Sequence, residues 1–278
     1  MLRGLRVNTV GLLIALAVAF PLYWMVLSAL KPRTALEAGD PTPFTLSPTL
    51  DSFRRVLLVE DFGRYLLNSA TVAAAVVVFS TLCAFLAAVA LTRYRFRSRV
   101  TLLVMVLIAQ MVPVEALTIP LFFLMRGIGQ TVPQLGLNHL GSLMLVHTAF
   151  AIPLAIWMLR GFVAAVPREL EEAARLDGAG SLTFVWRVLF PLVAPGVVAT
   201  SIFSFIMTWN DFLFATTFII SAQEKQTLPV VLLSFFRPDQ NDWGAIMAGS
   251  VLMTVPVLVF FLFVQRRLAS GLGGAVKG

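Results

Sequence analysis

Three ionisable side chains lie inside long apolar stretches of the sequence, namely Glu115, Asp211 and His147. A charge at the centre of a bilayer costs roughly 2.5–3.5 kcal/mol on insertion scales, so such groups generally face a cavity or a protein partner. Carboxylates and amides can bind hydroxyl groups, and an aromatic face can stack on a ring. We therefore predict a polar path lined by Gln110, Glu115, Trp209, Asn210 and Asp211. Hydrogen bonding between helices is the open alternative, and His147 is predicted to be a packed core histidine.

No other constellation in the sequence has the pattern of a catalytic or metal site. The two histidines are far apart, and the single Cys83 excludes a disulfide within the chain. A nucleotide-hydrolysing domain needs a glycine-rich loop that ends in Gly-Lys-Ser or Gly-Lys-Thr. None of the three lysines follows a glycine. We expect no enzyme activity, no metal and no cofactor in this chain.

Composition indicates the class of protein that must position these residues. Hydrophobic residues make up 59% of the 278 positions and charged residues 13%, whereas about a quarter of a soluble domain is charged. A membrane-spanning helix needs about 20 consecutive apolar residues, and backbone groups in lipid must be satisfied within the segment. The sequence therefore predicts an all-α polytopic membrane protein that forms one transmembrane domain over residues 1–278. Its six predicted spans are 7–30, 69–91, 100–125, 140–160, 190–220 and 243–265.

The distribution of basic residues predicts the orientation of these spans. With the N-terminus inside, 13 of the 21 Lys and Arg residues fall in inner segments, many of them close to helix ends. Inner segments of membrane proteins carry such an excess of Lys and Arg. Both termini are therefore predicted to be cytoplasmic. The sequence pI of about 10.5 is then a signal of topology, and no nucleic-acid partner is expected.

The inner segment between the fourth and fifth spans, residues 166–189, predicts a short helix and a turn. Pro167 suits a first helical turn, and the acids that follow, Glu169 to Glu172, complement the positive end of the helix dipole. Glu171 and Arg175 are four residues apart, a spacing that favours pairing. Asp177 and Gly178 should end the helix, since glycine is the usual left-handed stop. Physics alone leaves two alternatives open, a solvated loop or a docking element.

After this turn, the sequence predicts a second amphipathic stretch before the membrane. Ser181 is predicted to cap the stretch Leu182–Leu189, and Pro191 is predicted to precede the fifth span.

The spacing within this segment resembles the coupling loop of permease subunits of ATP-binding-cassette (ABC) importers. That family has Glu-Ala-Ala, three residues, Gly, nine residues and then Ile-x-Leu-Pro. The matching residues here are Glu172, Ala173, Ala174, Gly178, Val188 and Pro191, with Val188 in place of the Ile and Phe190 in place of the Leu. The resemblance implies that the loop seats in a cleft of a separate ATPase subunit. Glu172 would supply an anionic contact, Ala173 and Ala174 close packing, and Gly178 the sharp turn.

Weaker motifs in the same order resemble the carbohydrate branch of these importers, in particular the second permease of maltose-type systems. They are Phe62–Ser69, Tyr94–Arg97, Trp209–Phe212, Thr227–Val230 and the tail Gly271–Gly278. The resemblance implies a permease of the bacterial inner membrane that forms half of an alternating-access path for sugar. It implies four kinds of partner: a second homologous permease, most simply a different chain; two ATP-binding subunits; an extracytoplasmic solute-binding protein; and membrane lipid.

Two alternatives remain at this point. A sister importer for peptides, amino acids or phosphate esters would share the coupling loop, and a secondary transporter would work without an ATPase.

Overall fold

A computed structural model describes residues 2–39, 41–59, 61–236 and 241–272, and only the backbone at 2–7, 59 and 263–272. The predicted all-α class is confirmed, and no strand occurs in these ranges. The tail residues 273–278 lie outside the described part of the chain. The helices are α1 Leu2–Leu30, α2 Arg33–Glu37, α3 Asp51–Val59, α4 Phe62–Arg93, α5 Arg99–Met111, α6 Thr118–Thr131, α7 Leu140–Ala165, α8 Glu169–Leu176, α9 Ser181–Trp209, α10 Leu213–Phe218, α11 Leu228–Leu232 and α12 Trp243–Leu272.

Five of the described helices are long and apolar enough to cross a membrane, and a bent pair makes six if it counts as one span. The five are α1, α4, α7, α9 and α12. The second and fourth predicted spans, 69–91 and 140–160, are shorter than the helices observed, because α4 begins at Phe62 and α7 continues to Ala165. The α4 extension carries Arg64 and Asn68, which a count of apolar residues excludes, whereas the α7 extension, residues 161–165, is apolar.

The third predicted span, 100–125, is not one helix. α5 ends at Met111, a single 3₁₀ turn follows at Glu115–Leu117, and α6 leaves at an angle of 87° to α5. Pro113 explains the break, because proline donates no hydrogen bond and pushes the residue before it into extended backbone. Val112 has that conformation, with φ −74° and ψ 124°.

The fifth predicted span, 190–220, differs from the observed helix at both ends. α9 begins at Ser181, runs through wide π-helical turns at Phe184–Leu189 and continues past Pro191, so no loop separates the amphipathic stretch from the span. The helix then ends at Trp209, and the short helix α10 begins at Leu213. Pro191 does not interrupt this helix. It follows the π-helical turns directly and so lies in the first turn of the α-helical segment, where its missing N–H is tolerated.

One compact unit of the chain comprises Met1–Leu66 and Val230–Val257. In it, Arg55 of α3 pairs with Asp242, and Asp242 Oδ1 accepts a hydrogen bond of 3.0 Å from the Ala245 N–H at the start of α12. Gly244 lies so close to Ser52 that a Cβ there would meet the Ser52 Oγ at 2.5 Å. The aspartate therefore caps α12 and fastens α3 to it.

The other unit comprises Leu67–Pro229 and Leu258–Gly278 and contains the largest apolar core described. α4, α7 and α9 pack together there through small residues that include Ala84, Ala88 and Ala155, each at most 1% exposed. Small residues allow helices to approach closely in a membrane, and hydroxyl groups add polar contacts between them. Ser80 Oγ of α4 lies 3.3 Å from Ser204 Oγ of α9.

Candidate functional site

The short helix α8 follows the fourth span and is built as a separately capped element. It begins at Glu169, so Pro167 lies before its first turn rather than within it, and Arg168 occupies the N-cap position. The pairing expected from the sequence is present, since Arg175 Nη2 lies 2.7 Å from Glu171 Oε1. Three acids in the first turn, Glu169, Glu171 and Glu172, complement the helix dipole.

A left-handed glycine ends α8. Gly178 has φ +83°, and Asp177 is the C-cap residue. The Ala179 N–H donates to Ala174 O at 2.8 Å and the Gly178 N–H donates to Arg175 O at 3.0 Å. This pair of hydrogen bonds is the Schellman motif, which satisfies carbonyls that the helix end would otherwise leave free. The turn therefore depends on a backbone conformation that few residues other than glycine adopt.

The two faces of α8 have different surroundings. Ala174 packs against the apolar core, and Glu171 is half-buried. Glu172 and Ala173 are exposed, and Leu176 is 89% exposed. An apolar side chain beside a carboxylate and a small residue therefore forms an outward face that nothing in the described chain covers.

The remaining residues of the predicted coupling segment lie on α9. Val188 is half-buried against the core, and Pro191 is exposed within the continuous helix. Ser181 does not cap this helix, because the N-cap residue is Gly180 and no side-chain cap bond is present. The sequence prediction failed here because glycine is also acceptable at an N-cap.

Arg93, at the end of α4, holds the end of α7 just before α8 begins. Its Nη2 atom donates to Val163 O at 2.9 Å and to Val166 O at 2.8 Å. The last carbonyls of a helix lack partners within the helix, and a cation there also complements the dipole. In the sequence, Arg93 is one basic residue among several at a helix end, so nothing distinguished it.

Of the five predicted path residues, Trp209, Asn210 and Asp211 are consecutive in the chain, and Gln110 and Glu115 lie on either side of the break after α5. Gln110, Glu115 and Asn210 are exposed, whereas Trp209 is 2% exposed and stacks on Phe205 with ring centroids 5.2 Å apart. Asn210 Nδ2 donates to Ile206 O at 2.9 Å. Asp211 lines a cavity together with His147 and Thr208.

Asp211 meets His147 at a cavity of about 120 Å³ where the fifth span breaks. His147 Nε2 lies 3.2 Å from Asp211 Oδ2, and each side chain is 11% exposed. The carboxylate also accepts the Phe214 and Ala215 N–H groups at 3.3 and 3.0 Å, so it caps α10. His147 is thus part of the polar site. The prediction of a packed core histidine was incomplete, because its partner is 64 residues away in sequence.

Asn138 fastens the other end of α10 and was missed in the sequence. Its backbone N–H donates to Phe218 O at 2.8 Å, and its Oδ1 accepts the Ile220 and Ser221 N–H groups at 2.8 and 2.9 Å. It has φ +62°, a left-handed conformation that asparagine tolerates. α10 is therefore held at both ends by the fourth span and the turn before it.

No group of three or more metal-ligating side chains occurs in the part of the chain that the structure describes.

Comparison with known proteins gives consistent matches over most of the chain. The family described as binding-protein-dependent transport system inner membrane component matches residues 80–273. The diacetylchitobiose uptake system permease protein of Streptomyces coelicolor is 38% identical, with 98% of this chain and 96% of that protein covered. The trehalose transport system permease protein of Mycobacterium tuberculosis is 35% identical, with 93% and 92% covered. The maltodextrin transport system permease protein of Bacillus subtilis is 32% identical, with 96% and 93% covered.

Among solved structures, a chain of a bacterial ABC transporter involved in the import of the acidic polysaccharide alginate has a similar fold. Its TM-score is 0.79 at 22% identity, with 95% of this chain and 96% of that chain covered. A second alginate ABC transporter chain, in complex with a pentasaccharide-bound periplasmic protein, gives a TM-score of 0.61 at 14% identity, with 93% and 94% covered.

Proposed function

Because the chain belongs to the family of binding-protein-dependent transport system inner membrane components, we propose that it is the permease subunit of an ABC importer of sugars. The observation that carries this proposal is the full-length similarity to sugar permeases. Relatives that are 32–38% identical over at least 93% of this chain are named for diacetylchitobiose, trehalose and maltodextrin. The substrate class that these names share is an oligosaccharide.

The chain supplies half of the translocation path and depends on partner subunits for the rest. A second homologous permease, in a heterodimer, completes the path. Two ATP-binding subunits bind and hydrolyse ATP, and an extracytoplasmic solute-binding protein delivers the sugar. This chain acts as one permease domain in the bacterial inner membrane, with both termini and α8 on the cytoplasmic side. The excess of basic residues in those segments supports this orientation.

α8 is the element through which the ATPase acts on the permease. Its outward face, with Glu172, Ala173 and Leu176, suits a cleft that accepts one carboxylate and an apolar edge. The left-handed turn at Gly178 fixes the angle at which α8 joins α9. The hydrogen bonds from Arg93 tie the end of α7, just before α8, to α4, so a displacement of α8 would reach α7 and, through Arg93, α4. ATP-driven closure of the partners would then switch the path between its outward-open and inward-open states.

The exposed polar residues of the spans line surfaces that the assembled transporter uses. Gln110, Glu115 and Asn210 are exposed in the single chain. In the assembled transporter they face either the translocation path or the partner permease. Asp211 reaches the path through its cavity. Trp209 supports the break in the fifth span by packing.

The proposal is tested by reconstituting the complex. The chain carries a tag and is purified together with the proteins encoded by neighbouring genes. The solute-binding protein is then screened with a panel of disaccharides for an increase in its melting temperature. Proteoliposomes should then accumulate the selected sugar only with ATP and the loaded binding protein. Uptake without any ATP-binding subunit would contradict the proposal.

A further inference from the structure

The cavity at the break of the fifth span has hydrogen-bonding capacity that the fold leaves unused. Nε2 of His147 contacts Asp211, but within the described chain Nδ1 of the same ring has no partner. A carboxylate has about four acceptor positions, and Asp211 uses three, for His147 and the two N–H groups of α10. One ring nitrogen and one acceptor position are therefore free beside the cavity.

The other walls of the cavity are mostly apolar and aromatic. Phe150 and Phe214 stack with ring centroids 5.7 Å apart and an interplanar angle of 19°. The lining residues are Val114, His147, Phe150, Ala151, Phe203, Met207, Thr208, Asp211 and Phe214. The His147 ring also lies edge-on to Phe214, with ring centroids 5.6 Å apart. A polar edge beside aromatic rings matches a pyranose ring, which has hydroxyl groups around its rim and an apolar C–H face.

Both helix breaks of this unit contribute to the cavity. Val114 comes from the break after α5, and Asp211 comes from the break after α9. Irregular backbone at membrane depth is tolerated where it lines a cavity or is buried in protein. The volume of about 120 Å³ holds about four waters at about 30 Å³ each, which is room for the rim of one ring and not for a whole oligosaccharide.

From this arrangement we propose that the cavity is a subsite for one pyranose ring of the transported sugar, with His147 and Asp211 as its hydroxyl-binding residues. The proposal rests on the proposed function, because the ligand is the imported sugar. It assigns a substrate contact to this permease itself and makes His147 a specificity-determining residue.

Two substitutions of His147 separate sugar binding from support of Asp211. Glutamine places its amide near the position of Nε2, so His147→Gln keeps the contact with Asp211 and loses the group at Nδ1. Asparagine places its amide near Nδ1, so His147→Asn keeps the group facing the cavity and loses the contact with Asp211. Ala151→Val narrows the cavity without removing either polar group. His139→Gln is the matched control, because His139 is exposed and its ring contacts only Leu137 O among described residues.

The readout is the amount of radiolabelled disaccharide that the purified complete complex retains after trapping with ATP and vanadate. The disaccharide is the one that the stabilisation screen of the binding protein selects. The loss of one hydrogen bond should lower retention by about tenfold in His147→Gln. His147→Asn should retain more sugar than His147→Gln, Ala151→Val should retain less than wild type, and His139→Gln should equal wild type.

Two results would overturn the subsite. Wild-type retention in all three cavity variants would exclude it, and loss in His147→Asn with normal retention in His147→Gln would show that His147 only supports Asp211. Failure of the proposed function is distinguishable, since the wild-type complex would then neither take up nor retain any disaccharide.

Discussion

The guanidinium group of Arg93 lies 2.8 Å from the main-chain oxygen of Val166, the residue that follows α7. The same Nη2 atom reaches Val163 O at 2.9 Å. α4 and α7 thus meet at this cation, three residues before the proposed coupling helix α8 begins. This junction is one of two routes by which a force on α8 would reach the spans, and the turn at Gly178 into α9 is the other.

Arg93→Ala should weaken both stability and coupling. It leaves two carbonyls at the end of α7 without a partner, which costs about 1–3 kcal/mol when the groups are buried. We expect a lower melting temperature of the purified complex and a smaller ratio of sugar-stimulated to basal ATP hydrolysis. Arg93→Lys should recover part of the ratio, and the exposed Arg95→Ala should change neither quantity. A normal ratio in Arg93→Ala would remove Arg93 from the coupling route.

Gly178→Ala tests the left-handed turn after α8. An added Cβ would meet no atom within 4 Å, so the cost is backbone strain at φ +83° and not a clash. That strain is about 1 kcal/mol for alanine and less for asparagine. Gly180→Ala is the control, because Gly180 also has open space but has φ −70°. We expect the ratio of stimulated to basal ATP hydrolysis to be highest in Gly180→Ala, lower in Gly178→Asn and lowest in Gly178→Ala. Equal ratios for the two alanine variants would contradict a conformational role.

Gly129→Ala should disrupt the approach of α6 to the turn before α7. A Cβ at Gly129 would lie 2.8 Å from the Cα of Gly136, which is backbone and cannot rotate away. Overpacking of this kind costs about 1–3 kcal/mol or more. Gly127→Ala, two residues earlier on α6, meets nothing within 4 Å. Thermal unfolding in detergent should show a lower melting temperature for the first variant only, and equal values would exclude close packing at this point.

Asp211→Ala should destabilise α10, because it removes the acceptor for the Phe214 and Ala215 N–H groups. Loss of a side-chain acceptor at a helix N-terminus lowers the free energy of unfolding by about 1 kcal/mol. Loss of the contact with His147 adds to this. Asp211→Asn keeps one acceptor oxygen and should retain most of the stability. Hydrogen exchange of the α10 backbone is the measurement, with faster exchange expected in the alanine variant alone. Unchanged exchange in both variants would show that Asn138 holds α10 without help.

The fold class could be predicted from the sequence because the spans are long and almost free of charge. Length and hydropathy locate α1, α4, α7 and α12, but they do not show whether a helix breaks within a span. Pro113 breaks the third span, whereas Pro153 and Pro256 lie inside continuous helices. The sequence alone cannot tell these cases apart, because neighbouring helices decide whether a proline is accommodated.

The local geometry of α8 was also predictable, since its pairing and its termination depend on residues within ten positions of one another. Glu171 with Arg175 and the turn at Gly178 are of this kind. The contacts of Arg93, His147 and Asn138 were not predictable, because each joins segments that lie 64 or more residues apart. Such contacts exist only after the helices have packed.

Coupling through α8 is the central claim, and one measurement tests it most directly. The complex is reconstituted with Glu172→Lys, and ATP hydrolysis is measured with and without sugar-loaded binding protein. Charge reversal on the exposed face should abolish the stimulation, while the complex remains assembled and basal hydrolysis persists. Glu172→Gln, which keeps the shape and removes the charge, should give an intermediate value. Full stimulation with Glu172→Lys in an assembled complex would contradict the account.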